Sequence, residues 1–426
     1  MSEKVELLSP AGNLEKLKIA INYGADAVYA GVSHFSLRIR AGKEFTFETF
    51  KEGIDYAHAR GKKVYATING FPFNNQIDLL KKHIEKMAEV KPDGFIVAAP
   101  GVVKLCREIA PEIDVHLSTQ ANVLNYLDAK VFWDLGVKRI VVAREISLKD
   151  VKQIKEHLPD MEIEIFVHGS MCFAYSGRCL VSAVQSGRVP NRGSCANDCR
   201  FEYTLYAEST NQNTLFRLEE EPGVGTYIFN SKDMNLASHI KEILDSGAVD
   251  SLKIEGRTKS PYYAAVTANA YREAIDDYYA GEFKPEKYQR ELHTTKNRGF
   301  TDAYLVHRPF EKTTTQNHEY ALSKGSYEVS GLVTEDESHF MCKYKIYPGN
   351  DVEIFAPRGV QIQECENEIG KIFKKEDGIY YVNFNKILTE TNKELASVHS
   401  GNTNKIQLPG KLPYLTMLRV ENTEEV

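Results

Sequence analysis

The strongest constraint on this chain is an alternation. Eight short β-branched stretches read as strands, at residues 5–8, 27–30, 63–69, 94–98, 114–118, 139–143, 162–168 and 251–255. Stretches of helical periodicity, such as 14–23, 47–60, 78–89 and 126–135, fall between them. Strand, helix, strand, repeated, implies parallel strands joined by crossover helices. Gly24-Ala25-Asp26-Ala27-Val28, Gly136-Val137-Lys138-Arg139-Ile140 and Gly247-Ala248-Val249-Asp250-Ser251 each read as helix end, glycine, then strand. The glycine permits the left-handed turn that closes a helix. Eight such units predict an α/β fold of the (β/α)8, TIM-like barrel kind over residues 1–310. An open doubly wound sheet is the rival. The turn after the first strand, Ser9-Pro10-Ala11-Gly12, lacks the G-x-G-x-x-G dinucleotide fingerprint, which favours the barrel.

One connection breaks the rhythm. Residues 169–235, after the seventh strand, are irregular and far longer than an ordinary βα loop. A long helix is then expected over 259–281, with Ser260 as its cap and Pro261 in its first turn. Residues 311–325, with Thr313-Thr314-Thr315-Gln316-Asn317, read as a linker. Short alternating stretches at 327–333, 339–347, 351–355, 380–384 and 414–420 predict a small all-β barrel domain over 326–426.

Charge narrows the partners. Fifty-three basic against 59 acidic residues leave a formal charge of −6, so no global basic field draws the chain to nucleic acid or acidic lipid. Any such contact must be local. The first ten residues carry charges and a proline where a signal peptide needs an apolar core. No apolar stretch approaches a membrane span. A cytoplasmic protein with reduced thiols and no membrane partner is expected.

Four of the seven cysteines crowd into 28 positions. Cys172, Cys179, Cys195 and Cys199 are spaced C-x6-C-x15-C-x3-C. Four thiolates complete a tetrahedral zinc site or hold an iron–sulfur cluster. Only the second pair has the tight spacing of a structural zinc site, and the looser first pair suits a cluster at least as well. Spacing leaves zinc and cluster open. Four buried thiols in a structured insertion is the plainer account, and the crowding disfavours it. Cys172 follows the seventh strand, at the carboxyl end where barrel enzymes keep their chemistry.

The other strand ends deliver candidate site residues to the same mouth. Arg38 and Arg40 follow the second strand, Asn69 the third, Ser118, Gln120 and Asn122 the fifth, and Arg144 and Glu145 the sixth. His168 ends the seventh, and Lys253, Glu255 and Arg257 end the eighth. Converging arginines suit an anionic substrate, because guanidinium pairs with carboxylate or phosphate in a bidentate way. Arg38, Arg144 and Arg257 are the candidate substrate-binding cations, with Gln120 and Asn122 beside them. The plainer account makes Arg144–Glu145 and Glu255–Arg257 structural ion pairs. His168 and Glu255 are candidate catalytic groups, and a core histidine bonded to backbone is the alternative for His168. There is no H-E-x-x-H helix, no G-x-S-x-G elbow and no P-loop. Arg178, Arg188, Arg192 and Arg200 interleave with Phe173, Tyr175, Phe201 and Tyr203 in the cysteine loop, a composition on which single-stranded RNA can stack.

The run from Glu162 to Cys172, continued by Ala174-Tyr175-Ser176-Gly177-Arg178-Cys179-Leu180, resembles the signature of the collagenase-like peptidases of unassigned catalytic type. Ser36-Leu37-Arg38, His116 to Asn122, Ala143-Arg144-Glu145, Asn230-Ser231-Lys232-Asp233 and Ser251 to Lys259 also match. The resemblance spans the barrel region, and the small β-domain fits it too. It implies formation of 5-hydroxyuridine at the tRNA wobble position, dependent on prephenate or a derivative. It also implies a 4Fe–4S cluster on Cys172, Cys179, Cys195 and Cys199, favouring iron–sulfur over zinc. Collagenase-like peptidase activity belongs to the same family and is the rival expectation. A non-catalytic RNA-binding protein with structural zinc is the third.

Overall fold

A computed structural model describes residues 4–32, 35–36, 45–192, 194–204, 206–209, 214–217, 229–306, 315–317, 319–320, 322 and 325–422. The chain forms two compact units, Met1–Arg290 with Asn297–Ser323, and Glu291–Lys296 with Lys324–Val426.

The first unit is built on a closed parallel barrel. Its strands are β1 (Glu6–Pro10), β2 (Ala27–Ala30), β3 (Lys63–Ile68), β4 (Gly94–Val97), β5 (Asp114–Leu117), β6 (Arg139–Val141) and β7 (Glu162–Ser170). A hairpin of β8 (Tyr206–Ser209) and β9 (Thr214–Arg217), then β10 (Asp233–Asn235), belong to the insertion. The eighth barrel strand is β11 (Ser251–Ile254), which pairs with both β1 and β7 and closes the ring. The crossovers include α1 (Leu14–Asn22), α2 (Phe47–His58), α3 (Ile77–Glu89), α4 (Pro100–Ile109), α5 (Tyr126–Asp134) and α6 (Leu148–His157). A short α7 (Val181–Ser186) lies in the insertion, and α8 (Ile240–Asp245) leads into β11. The expected last helix is α9 (Pro261–Ala280), started by Ser260, whose side chain accepts from Tyr263 N at 3.2 Å, and closed by Gly281 at φ +76°. No helix among the described residues is long and apolar enough to cross a membrane.

The amino-terminal end of the barrel interior is filled with charge. Arg139 reaches Glu6 at 2.5 Å, Glu162 at 2.8 Å and Glu164 at 3.1 Å. Lys253 Nζ donates to the other Glu164 oxygen at 2.6 Å. Tyr65 and Ser251 hydroxyls donate to Glu6 at 2.6 and 3.0 Å. Burial alone raises the pKa of Glu164, but Lys253 and Arg139 outweigh it and hold the carboxyl below its ordinary range. His116 lies against Tyr65, ring centroids 4.5 Å apart, and burial pushes its pKa well below the usual value.

The strand β7 does something that a regular alternation does not foresee. Lys253 pairs with Phe166, but the next residue, Ile254, pairs with His168. One extra β7 residue is therefore accommodated in a bulge, which reverses the facing of the residues beyond it. Gly169, at φ +106°, continues the turn; a Cβ there would lie 2.4 Å from the Glu255 carbonyl. From this point β7 pairs antiparallel with β10, Ser170 opposite Asp233, so the insertion leaves and returns through one short ladder. Phe300–Thr301 (β12) extends that ladder in parallel.

The second unit is all β. Its eight-stranded antiparallel sheet comprises Tyr327–Val333, His339–Cys342, Asp351–Phe355, Cys365–Glu366, Gly370–Lys374, Tyr380–Phe384, Lys405–Gln407 and Met417–Glu421. Ile387–Leu388 and Glu394–Leu395 form a separate small ladder. Sequence alternation foresees five of these strands; Cys365–Glu366 and Lys405–Gln407 are too short to show a period, and the five-residue Gly370–Lys374 is missed. Phe340, Ile354, Phe384 and Leu418 are central to its core. Cys365 and Asn367 side chains both donate to the Pro409 carbonyl, tying one edge strand to the segment after the other.

Candidate functional site

The carboxyl ends of the barrel strands border a cavity that opens to solvent. Tyr29, Thr67, Ile96, Val141 and Phe166 supply its wall from the strands themselves. Asn69, Ser118, Gln120, Arg144, Glu255, Arg257 and Cys172 come from the loops beyond the strands, and Lys253 from β11. Eight of the expected site residues, Asn69, Ser118, Gln120, Arg144, Cys172, Lys253, Glu255 and Arg257, thus meet at one cavity.

The pairing differs from either expected ion pair. Arg144 Nη2 lies 3.8 Å from Glu255 Oε2, and its guanidinium sits 3.9 Å over the Phe166 ring. Glu255 also accepts from the Tyr29 hydroxyl at 3.3 Å. Arg257 donates to the hydroxyls of Ser36 at 2.8 Å and Thr67 at 3.1 Å. Those two hydroxyls share a 2.6 Å hydrogen bond. Glu145 turns to the insertion, accepting from Ser176 N at 2.9 Å, while Arg144 N donates to Ser176 Oγ at 3.3 Å. Ser176 is thereby clamped to the loop after β6. Gly177 completes the fit: at φ +72°, its Cβ would lie 2.1 Å from the Gln120 carbonyl.

His168 takes the alternative place foreseen for it, that of a core histidine. Regular alternation would place it beside Phe166, but the bulge turns it out of the cavity wall. It is buried, with Nδ1 3.3 Å from the Tyr271 hydroxyl and its ring among those of Tyr263, Tyr271 and Phe300. Asn122 does not line the cavity either. It ends the turn Thr119–Ala121 in a left-handed conformation, φ 59°. Arg38 lies outside the described residues. Tyr29, Thr67 and Phe166 were not among the expected site residues. Their signal was the inward parity of their strands.

The four insertion cysteines are all free thiols, with Cys172 and Cys195 exposed and Cys179 and Cys199 half-buried. Burial raises the pKa of Cys179 and pushes that of Cys199 up to about 11. Val181 N–H opposes this at Cys179 and Arg200 at Cys199, whereas Cys172 and Cys195 raise both further. The four thiols therefore lie within one another's electrostatic reach. Among the described residues, no group of three or more His, Cys, Asp or Glu side chains is arranged to hold a metal ion. As a donor set, four thiols without imidazole or carboxylate fit the soft ligand chemistry of an iron–sulfur cluster. Next to Cys172, Arg298 is buried on Asp233 and the Ser231 carbonyl, 2.8 Å away, which anchors the strand returning from the insertion.

Fold and site define a (β/α)8-barrel protein whose mouth is overlaid by a four-cysteine insertion. The sequence profile of peptidase family U32 matches residues 12–315, and the chain belongs to that family. A tRNA hydroxylation protein P of Helicobacter pylori is 64% identical over 98% of this chain and 99% of its own. A tRNA hydroxylation protein P of Escherichia coli is 38% identical over 86% of this chain and 90% of its own. A collagenase of Porphyromonas gingivalis is 30% identical over 85% of this chain and 83% of its own.

Proposed function

We propose that this chain is a tRNA-modifying enzyme that hydroxylates a uridine, forming 5-hydroxyuridine at the wobble position. The observation that carries the reading is that Cys172 lines the same cavity as Arg144, Glu255 and Arg257. A redox group on the cysteines would then border the substrate. The names of relatives at 64% and 38% identity supply the RNA and the reaction type. Cys172, Cys179, Cys195 and Cys199 would hold a 4Fe–4S cluster. When bound, such a cluster supplies single-electron transfer.

The chain's own residues do the rest. Arg257, fixed by two hydroxyls, and Arg144, fixed over Phe166, present guanidinium to a small carboxylate co-substrate of the prephenate kind. Glu255, held by Arg144 and Tyr29, accepts the proton that leaves when C5–H becomes C5–OH. Exchange of C5–H for C5–OH withdraws two electrons, so a co-substrate must break one of its C–O bonds, give up that hydroxyl, and keep the two electrons together with the proton released from C5; the carboxylate co-substrate is assigned that place. Among the described residues lining the cavity there is no histidine. On this reading the protein works where tRNA is, in the cytoplasm.

Nucleoside mass spectrometry on tRNA from a deletion strain tests the reading. The expected result is loss of 5-hydroxyuridine derivatives, restored by the wild-type gene but not by Cys195→Ala. Unchanged modification, in a strain without an oxygen-dependent route, overturns it. Iron and sulfide near four each per chain support the cluster, and one zinc per chain refutes it.

A further inference from the structure

The insertion has an outward face as well as an inward one. Of the 18 exposed large hydrophobic side chains among the described residues, seven lie between residues 173 and 206, a stretch of 34 in a chain of 426. Phe173 is 48% exposed, Tyr175 62% and Phe201 53%, and Val184 on α7 reaches 79%. This face is held in place. The Phe173 ring packs on Phe229 at 4.7 Å, Tyr203 packs on the same ring at 5.9 Å, and the Tyr203 hydroxyl donates to the Asp198 carbonyl at 2.9 Å.

The charge of its first half opposes that of the whole chain. Residues 169–204 carry four arginines, 178, 188, 192 and 200, and two acids, Asp198 and Glu202, for a net of +2 against −6 overall. Asp198 is buried and accepts from the Ser186 hydroxyl at 3.1 Å, so Glu202 is the exposed acid of this segment. Arg178 is exposed and Arg188 half-exposed. Position adds the third element. Phe173 comes directly after Cys172 at the cavity, and Ser176 and Gly177 are clamped to the mouth loops at Glu145 and Gln120.

Aromatic faces take stacked bases of any sequence, and arginines between them take phosphates. We infer that the outward face of the insertion, carried by Phe173, Tyr175 and Phe201 with Arg178 and Arg188, is the docking surface for single-stranded RNA. It rests on the reading of the cavity as a base-modifying site. Nucleotides flanking the target stack on this face, and the unpaired base turns in past Cys172. A duplex cannot offer its base faces, so a loop binds in preference to paired RNA.

The experiment uses the full chain with its iron content measured, a fluorescein-labelled uridine-containing stem–loop RNA, and the same sequence annealed as a full duplex. Wild type is expected to bind the stem–loop more tightly than the duplex. Tyr175→Ala with Phe201→Ala is expected to weaken stem–loop binding by about 10-fold or more, with iron and melting temperature unchanged. Arg188→Gln is expected to reduce the slope of log affinity against log salt by about 0.7. Unchanged affinity in both variants overturns the surface. So does loss of self-association, by light scattering, without loss of RNA affinity, since the face would then join two copies. Should the double variant lose iron, Val184→Glu decides, because it adds a repelling charge at a site that packs on little. Weakened binding supports the surface, and unchanged binding overturns it. The two readings fail separately. Wild type that binds the stem–loop but does not restore 5-hydroxyuridine refutes the function alone. Face variants that restore it fully, with full affinity, refute the surface alone.

Discussion

The two ends of the barrel interior use the same residue types for opposite purposes. At the amino-terminal end, Arg139 and Lys253 are saturated by Glu6, Glu162 and Glu164, with contacts of 2.5 to 3.1 Å. At the carboxyl end, Arg144 stands 3.8 Å from Glu255, and Arg257 is held by two neutral hydroxyls. One end spends its charge on itself. The other holds its charge in place while leaving it facing a cavity. Preorganised groups that face a cavity are what a binding site requires, whereas a buried network is stable only when complete.

Breaking the lower network should produce the largest effect. Glu164→Gln leaves Lys253 and Arg139 short of a buried carboxylate, and unfolding free energy is expected to fall by about 3–5 kcal/mol. Urea unfolding monitored by the fluorescence of Trp133, the sole tryptophan, on α5, measures it. A change below about 1 kcal/mol would mean that the two ends do not differ in this way. The matching change at the mouth should separate activity from stability. Arg144→Gln removes a charged contact to an anionic substrate, worth about 1.5–3 kcal/mol, and kcat/KM is expected to fall about 10- to 100-fold. Its loss of stability should be smaller than that of Glu164→Gln in the same urea assay.

The smallest effect sharpens the comparison through pH. His116 stays neutral when folded because burial, then Arg139, Lys253, Lys138 and Lys63, depress its pKa. The unfolded imidazole takes up a proton below its ordinary 6.5. Stability should therefore fall as pH drops below about 6.5, by up to about 1.4 kcal/mol per pH unit from this group. Glu164, with its depressed folded pKa, contributes stability above the ordinary carboxylate range and loses it only at lower pH. Melting temperatures across this range should show a shallower decline in His116→Asn. An unchanged slope would assign the decline to other groups.

Much of this was legible in the sequence, for reasons that differ by element. The eight barrel strands and α9 announced themselves because a period of two or 3.6 survives in local composition. Arg144, Glu255 and Arg257 were legible because they end strands, and strand ends converge whatever the packing. For His168 the sequence left a catalytic and a core place open, because a one-residue bulge in β7 depends on how β11 registers against it, which no local pattern records. The partner of Arg144 was misassigned. Sequence proximity offered Glu145, but the ring sets β6 and β11 on either side of β7, which brings Glu255 to Arg144 instead.

The order of strands, the crowding of four cysteines after the seventh, and a net charge that forces any RNA contact to be local were determined by the sequence alone. These are properties of spacing and counting. Only the tertiary structure decided which carboxylate faces which guanidinium, that His168 leaves the site, and that Cys172 shares a cavity with the mouth arginines. Those depend on contacts between residues far apart in the chain, fixed by closure of the barrel and by one bulge in its register.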